Sequence, residues 1–165
     1  MGYVEVEADL LAMGLPAIGH GCNTSGSMAG GIARQLRATW PDMYAAYARR
    51  CHRGGFELGD LFVWEADGVI VYNLATQVRP GPDARLDAIR DSVALALDDV
   101  SERGLPQLGI PRIGAGIGGL DWVDVKAALK HLADGHQVQL VVARRPQISG
   151  APPNVRRNAW VSTDE

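Results

Sequence analysis

The sequence predicts an α/β domain of three layers, with helices on both faces of a mixed or largely parallel sheet. Strand-like and helix-like segments alternate along the chain, which is typical of that class. The length of 165 residues is near that of one domain, and no internal repeat or second compositional region divides it. Nine of the twenty glycines stand in two short windows, each between a predicted strand and a predicted helix.

The first elements are two strands and a helix. Tyr3 to Val6 alternates apolar and acidic residues, which predicts a half-buried edge strand. The apolar run 15–22 predicts a buried strand that ends in the first glycine window. Ala29 to Arg37 is then expected to be a helix, which the Trp40-Pro41 pair interrupts.

A second helix and a hairpin are predicted next. Asp42 is expected to cap a helix over Met43–Cys51, whose apolar residues recur on one face. Leu61–Trp64 and Val69–Leu74 are predicted strands, and the Asp67-Gly68 pair between them indicates a tight turn.

The remaining elements repeat the order of helix, strand, helix and strand. Leu86–Val100 has apolar residues along one side and predicts a helix, followed by a strand at Gln107–Ile110. Asp121 is expected to cap a helix from Trp122 to about Leu132, and Val138–Val142 is predicted to be a buried strand. We therefore expect one domain over residues 1–145 and a polar, proline-rich extended tail over residues 146–165.

Composition excludes several other classes of protein. Hydrophobic residues make up 47% of the chain, and no apolar run approaches the roughly 18 residues of a transmembrane helix. The acidic N-terminus lacks the basic-then-apolar order of a signal peptide. Cys22 and Cys51 are too few for a disulfide framework or a zinc site. We therefore expect a cytoplasmic protein.

Both glycine windows suit a bound anion. Glycines let backbone N–H groups approach an anion closely, and the N-terminus of the following helix adds a favourable dipole. The first window, 19–32, also contains Asn23 and three hydroxyl side chains, and the second spans 113–119. Neither window is a Walker A loop, because the pattern is absent and the only two lysines, Lys126 and Lys130, belong to a later predicted helix.

Two other interpretations of the windows are open. Gly114 to Gly119 has the letters of a dinucleotide-binding G-x-G-x-x-G, but it comes late in the chain, and the helix after it carries no obvious ribose-binding acid followed by a strand pair. Tight turns without a ligand are the other alternative. Two such loops in one small domain favour a ligand that carries a diphosphate.

Four segments resemble the macrodomain family, which binds ADP-ribose. They are Glu7–Leu11, His20–Ala33, Tyr72–Thr76 and Ile110–Trp122, and their order and spacing match along about residues 1–142. The last segment is most similar to the branch of terminal ADP-ribose glycohydrolases and DNA-ADP-ribose-removing antitoxins. The resemblance implies a three-layer α/β/α fold with a mixed central sheet, ADP-ribose as ligand, and neither a cofactor nor a metal.

The resemblance also implies roles for individual residues. Asp9 matches the acid that accepts a hydrogen bond from the adenine amino group, and Leu10 supplies a backbone contact. Asn23 matches the position beside the distal ribose, and Thr76, Gln77 and Arg79 lie where the family's sheet meets that ribose. The loops around that ribose and the diphosphate correspond to Gly26, Ser27, Met28, Gly30, Gly31 and Ile32, and to Ile113, Gly114, Ala115, Gly116, Ile117 and Gly118.

Two departures from that branch concern catalysis. The terminal glycohydrolases have a lysine where this chain has Gln77 or Val78, and an aspartate in the second loop where it has Gly118. We expect Asn23, Gln77 and Arg79 to position water or ribose instead, although Arg79 is equally well interpreted as a surface charge. His20 ends an apolar strand and is interpreted as a hydrogen-bonded core histidine rather than a base.

The predicted function is an ADP-ribosyl hydrolase that removes ADP-ribose from ester-linked (Asp/Glu-type) modified proteins. A site that positions water and stabilises charge can act without a strong base. The alternatives are a non-catalytic ADP-ribose reader and removal of ADP-ribose from nucleic acid. The net charge of −3 argues against extended nucleic-acid contact, while Arg144-Arg145 and Arg156-Arg157 leave a local one open. The expected partners are ADP-ribose or an ADP-ribosylated protein, without membrane contact, and the protein is expected to be a monomer.

Overall fold

A computed structural model describes residues 2–146 as six strands and four helices around one sheet. The strands are β1 (Tyr3–Glu7), β2 (Ala17–Asn23), β3 (Leu61–Ala66), β4 (Val69–Gln77), β5 (Gln107–Ile110) and β6 (Gln139–Arg144). The helices are α1 (Gly31–Thr39), α2 (Pro41–His52), α3 (Leu86–Glu102) and α4 (Trp122–Asp134), and a 3₁₀ turn, Leu10–Ala12, follows β1. None of the helices within this range is long and apolar enough to cross a membrane.

The sheet is mixed, as predicted. Its order is β1-β6-β5-β2-β4-β3, and every neighbouring pair is parallel except β3 and β4. The β3–β4 hairpin turns at Asp67 and Gly68, which have φ angles of 54° and 74°. Two positive φ angles in succession match the right-handed twist of the strands, which is why this pair marks hairpins.

The core has two halves, one on each face of the sheet. Successive residues of a strand point to opposite faces, so Val71 packs in one half while Tyr72 and Leu74 pack in the other. The first half is completed by residues of α1 and α2, namely Leu36, Met43 and Tyr47. The second is completed by residues of α3 and α4, namely Ile89, Val93, Leu97, Val125 and Leu129. The predicted three-layer architecture is confirmed.

Some predicted boundaries were wrong. Asp42 does not cap α2, because the helix begins at Pro41 with Trp40 in the cap position. Proline suits the first helical position, since its missing N–H would have no intrahelical acceptor there. Helix α1 begins at Gly31 rather than Ala29, and β6 extends to Arg144. Residues 147–165 lie outside the described residues, so the extended tail and the domain boundary before it stay predictions.

Strand order brings the two glycine windows together. β2 pairs with β5 on one side and with β4 on the other, and all three strands run in the same direction. Their carboxyl ends therefore meet at one edge of the sheet, where parallel sheets place ligands. The first window begins within β2 and continues beyond its end, the second window follows β5, and Gln77 ends β4.

Candidate ligand-binding site

The first glycine window closes around the side chain of Asn23. This residue ends β2 and is 7% exposed. Its Oδ1 accepts from the backbone N–H groups of Gly26 and Ser27, each at 3.1 Å, and from the Ser25 hydroxyl at 3.0 Å. Its Nδ2 donates to the Ser27 carbonyl at 2.8 Å, and the Tyr47 hydroxyl of α2 lies 2.9 Å from Oδ1. The amide therefore shapes the loop.

The second glycine window is packed against the segment before α3. The Ala84 N–H donates to the Gly118 carbonyl at 3.1 Å, and the Leu120 N–H donates to the Gly114 carbonyl at 2.8 Å. A Cβ on Gly118 would lie 2.8 Å from both the Ala84 Cβ and the Gly114 carbonyl oxygen. This packing excludes any side chain at Gly118, whatever ligand the loop binds.

Backbone N–H groups are available in both windows. Within residues 2–146, those of Ala115, Gly116 and Ile117 have no backbone acceptor. The first N–H groups of α1, beginning at Gly31, have no acceptor inside the helix. Such groups favour an anion, and the positive end of the α1 dipole adds to the attraction.

Ile117 links the two windows across the sheet edge. Its side chain is 64% exposed, and its Cδ1 lies 3.4 Å from the Cβ position of Gly30 and 3.9 Å from that of Gly31. The apolar side chain therefore reaches from the second window to the first, and it lines one of two cavities beside the windows.

These two cavities are open to solvent. The central cavity has a volume of about 320 Å³ and the edge cavity about 280 Å³. The central cavity is lined by Gly21, Cys22, Asn23, Ser27, Met28, Ala29, Gly30, Ala33, Gln77, Pro80, Gly81 and Ile117. The edge cavity is lined by Ala8, Asp9, Leu10, Gly31, Ile32, Gln35, Pro111, Arg112, Ala143, Arg144 and Arg145.

Asp9 stands at the rim of the edge cavity. Its Oδ1 accepts from the Leu11 N–H at 3.2 Å and so caps the 3₁₀ turn, while Leu10 is buried beneath. Its Oδ2 lies 3.8 Å from the Arg145 guanidinium. Asp9 is exposed, so its second oxygen remains accessible to a ligand.

Arg112 is a part of this cavity that the sequence reasoning did not single out. Its guanidinium lies 5.0 Å from the centre of the Trp122 ring, and its Nε is buried without a partner within the described residues. Its position in the sequence, between Pro111 and the second window, could have indicated this. A polar residue there lies just after β5, at the same edge of the sheet as the windows.

Gln77 lines the central cavity at the end of β4. Its Nε2 donates to the carbonyl oxygens of Arg79 at 2.6 Å and Gly81 at 3.1 Å. Asp83 holds the same loop, since its Oδ2 accepts from the N–H groups of Val78 at 2.9 Å and Arg79 at 3.0 Å. Gln77 lines the cavity, whereas Arg79 is exposed and does not.

His20 lies in the core beneath the central cavity. Its Nε2 is 2.6 Å from Oδ1 of Asn73, and both side chains are fully buried. Burial lowers the pKa of His20 to about 4, so the ring is neutral at physiological pH. This placement agrees with its interpretation as a hydrogen-bonded core histidine.

No lysine lines either cavity within the described part of the chain. Lys126 lies 3.4 Å from a Glu5 carboxylate oxygen, and Lys130 lies over the Tyr3 ring. Residues 2–146 also contain no group of three or more His, Cys, Asp or Glu side chains that could hold a metal ion.

The predicted site residues divide into two groups by position. Those lining a cavity are Asp9, Leu10, Asn23, Ser27, Met28, Gly30, Gly31, Ile32, Gln77 and Ile117. Those that line neither are Gly26, Thr76, Arg79, Ile113, Gly114, Ala115, Gly116 and Gly118. Most of the second group belongs to the backbone of the two windows, and Thr76 lies buried beneath Gly21. Their roles toward a ligand stay predictions.

This fold and paired-window site define a macrodomain. A family model described as Macro domain matches residues 20–129, and the chain belongs to that family. Among solved structures, it is similar to the macrodomain of Thermus aquaticus DarG, with a TM-score of 0.77 and 26% identity, covering 86% of this chain and 97% of that one. The macrodomain of Mycobacterium tuberculosis DarG gives a TM-score of 0.73 and 28% identity over 87% and 98% of the chains.

The curated relatives are named for two different activities. A Thermus aquaticus protein named DNA ADP-ribosyl glycohydrolase is 29% identical over 76% of this chain, but the match spans only 36% of that protein's length. A Mycobacterium tuberculosis protein of the same name is 31% identical over 73% of this chain and 36% of its own length. A Candida albicans protein named ADP-ribose 1''-phosphate phosphatase is 30% identical over 79% of this chain and 94% of its own.

Proposed function

We propose that this chain binds ADP-ribose along the sheet edge. The observation that carries the proposal is the pair of glycine windows, which continue from neighbouring parallel strands and contain backbone N–H groups without a backbone acceptor within residues 2–146. The two windows together suit the diphosphate, because both loops favour an anion. Asp9 would then accept from the adenine amino group in the edge cavity, and the distal ribose would occupy the central cavity beside Gln77.

The reaction we propose is hydrolysis of the bond that joins the distal ribose to an acceptor. Relatives named for glycohydrolase and phosphatase activity on ADP-ribose derivatives support a hydrolase. Gln77 is the side chain best placed to orient the attacking water. Its Nε2 is held by two loop carbonyls, and its Oε1 has no donor within residues 2–146. Holding water in line with the reacting carbon can supply a barrier reduction on the order of 7 kcal/mol.

An ester-linked Asp or Glu side chain is the first acceptor we propose. A carboxylate is a stable leaving group, so its release makes little demand on a general acid or a strong base. This suits a site in which no lysine of residues 2–146 lines the cavity and the buried His20 is neutral. A substrate phosphate held over the windows can help to orient the water.

Nucleic acid is the second acceptor we propose. Two specific observations favour it: relatives of this chain are named DNA ADP-ribosyl glycohydrolase, and exposed arginines of α1 stand beside the central cavity. They outweigh the net charge of −3, because a local contact requires only local positive charge.

Calorimetry with ADP-ribose, followed by release assays, tests the proposal. The release assays use ADP-ribose linked through an ester, a serine, an arginine and a DNA base. We expect binding of ADP-ribose and release from the ester or DNA conjugate. Binding without release from any conjugate would make the protein a reader, and absence of binding would contradict the whole assignment.

We also propose that the protein is a cytoplasmic monomer. Cys22 and Cys51 are free thiols in the structure, as is usual for a reducing compartment. Light scattering of the purified full chain should give the mass of one copy, 17.6 kDa. A mass of two copies would contradict the monomer.

A further inference from the structure

An open groove lies directly beside the central cavity. The two share Met28 and Ala29 as a common wall, and the groove has a volume of about 600 Å³. This is within the range of about 300–1,000 Å³ that holds small ligands. Its other walls come from the facing parts of α1 and α2, namely Arg34, Arg37, Ala38, Pro41 and Tyr44. We call these seven residues the acceptor groove.

The acceptor groove is positively charged. Arg34 and Arg37 are both exposed, and within residues 2–146 neither has a carboxylate at ion-pair distance. The Arg37 guanidinium lies 3.9 Å from the centre of the Tyr44 ring, which orients its plane. The Tyr44 hydroxyl donates to the Gly26 carbonyl at 3.3 Å, so the groove is tied to the first glycine window.

Its floor is apolar. Ala29, Ala38 and Pro41 are exposed and contribute hydrocarbon surface to the groove beside the two cations, and Met28 is buried behind them. A nucleotide needs both parts, because its base stacks on apolar, aromatic or guanidinium surfaces while its phosphate pairs with arginine. An acidic peptide would use the two cations and leave the apolar floor unfilled. The combination therefore favours a nucleotide over a peptide.

We propose that the acceptor groove binds the nucleic-acid segment attached to the distal ribose. Arg34 and Arg37 contact the phosphates next to the modified nucleotide, and Tyr44 with the stacked Arg37 holds a neighbouring base. This inference rests on the proposed function, because the groove adjoins, at Met28 and Ala29, the central cavity in which we place the distal ribose. Arg34 and Arg37 are then the residues that determine specificity for the acceptor.

The test compares two double variants of equal charge change. Arg34→Ala with Arg37→Ala removes the groove cations. Arg49→Ala with Arg53→Ala removes two exposed arginines near the other end of α2, outside the groove. Each variant is tested with ADP-ribose, an ADP-ribosylated single-stranded oligonucleotide and an ester-linked ADP-ribosyl peptide. Thermal unfolding confirms that both variants are folded.

For the groove variant we expect kcat/KM on the oligonucleotide to fall at least tenfold. The slope of log affinity against log salt should fall by about 0.7 for each lost phosphate contact. ADP-ribose affinity and turnover of the ester peptide should stay within twofold of the unmodified protein. The control variant should match the unmodified protein with all three ligands.

Two results would overturn the inference. Equal losses on the oligonucleotide and the peptide would show that the groove does not discriminate nucleic acid, and a loss on the peptide alone would assign the groove to an acidic peptide. The protein could bind ADP-ribose and hydrolyse none of the conjugates, and the affinity for the oligonucleotide conjugate is then measured in place of kcat/KM. If the unmodified protein binds this conjugate more tightly than ADP-ribose and the groove variant does not, the groove inference is supported although the hydrolase proposal fails.

Discussion

At the scale of single residues, one buried amide organises the first glycine window. Asn23 receives loop donors on its Oδ1 and donates from its Nδ2 to the same loop. A small side chain can do this because the loop returns to the end of β2 within four residues. The expected action of Asn23 on the distal ribose is therefore through the shape of the loop.

Replacing this amide should weaken the whole window. We expect Asn23→Ala to lower ADP-ribose affinity about tenfold or more and to reduce the unfolding free energy by about 2–4 kcal/mol, because several hydrogen bonds near 1 kcal/mol each are lost. Ser25→Ala removes a single donor to the same oxygen and should have a smaller effect. Calorimetry and urea unfolding measure both, and equal effects would contradict this role for Asn23.

Gln77 and Arg79 should differ in their effect on turnover. Gln77 lines the central cavity, so Gln77→Ala should lower kcat at least tenfold and leave ADP-ribose affinity within about threefold. Arg79 contributes its backbone to this loop while its side chain is exposed, so Arg79→Ala should keep nearly full kcat. Steady-state kinetics on the conjugate that the protein hydrolyses compares the two variants. Equal losses of kcat in the two variants would contradict this difference and support Arg79 as a catalytic residue.

At the scale of elements, the second glycine window is a packed loop with one open side. A Cβ on Gly118 would meet Ala84 and the Gly114 backbone, whereas a Cβ on Gly116 would meet nothing within 4 Å. The glycine at 118 is therefore required by packing, and the glycine at 116 leaves the outer surface of the loop free for a ligand.

This difference predicts a matched pair of variants. Gly118→Ala should lower the unfolding free energy by about 1–3 kcal/mol, because the loop must move to admit a methyl group. Gly116→Ala should change the same free energy by less than about 0.5 kcal/mol, since the added methyl group enters open space. Denaturant unfolding of the two proteins makes the comparison. Similar stabilities would contradict the packing argument.

At the scale of the whole molecule, the parallel strands arrange the site along one edge. Asp9 follows β1, the two windows continue from β5 and β2, and Gln77 ends β4. The order of the strands places the edge cavity, the two glycine windows and the central cavity in a row. A ligand that carries a base, a diphosphate and a second ribose in this order would match the row from one end to the other.

Stability of this sheet should depend on pH through His20. Its pKa in the folded protein is about 4, against 6.5 for the unperturbed side chain. The unfolded chain therefore takes up the proton first, and stabilisation that is complete above pH 6.5 is lost as the pH falls toward 4. The loss for this group is roughly 3 kcal/mol, from about 1.36 kcal/mol per pKa unit.

The variant His20→Gln isolates this contribution. Urea unfolding at about pH 7.5 and about pH 5 should show a smaller drop in stability for the variant than for the unmodified protein. All other titrating groups are shared, so they cancel in the comparison. Equal drops in the two proteins would rule out His20 as the source.

Much of the fold was predictable because its signals are local. The strand Gln107–Ile110 has the predicted bounds, and Asp121 caps α4 by accepting from the Val123 N–H at 3.0 Å. The hairpin turns at Asp67-Gly68 as expected. The cap of α2 was misassigned because Trp40, Pro41 and Asp42 all fit a helix start, and the backbone at Pro41 decided between them.

The sequence by itself determined the strands, the helices, the two glycine windows and the family, since each is encoded by residues close together in the chain. Only the tertiary structure decided how they meet. It placed Ile117 over Gly30, excluded a side chain at Gly118, left the Arg79 side chain outside the central cavity and joined α1 with α2 as the acceptor groove. These contacts join residues that are distant in the chain, so strand order and close packing decide them.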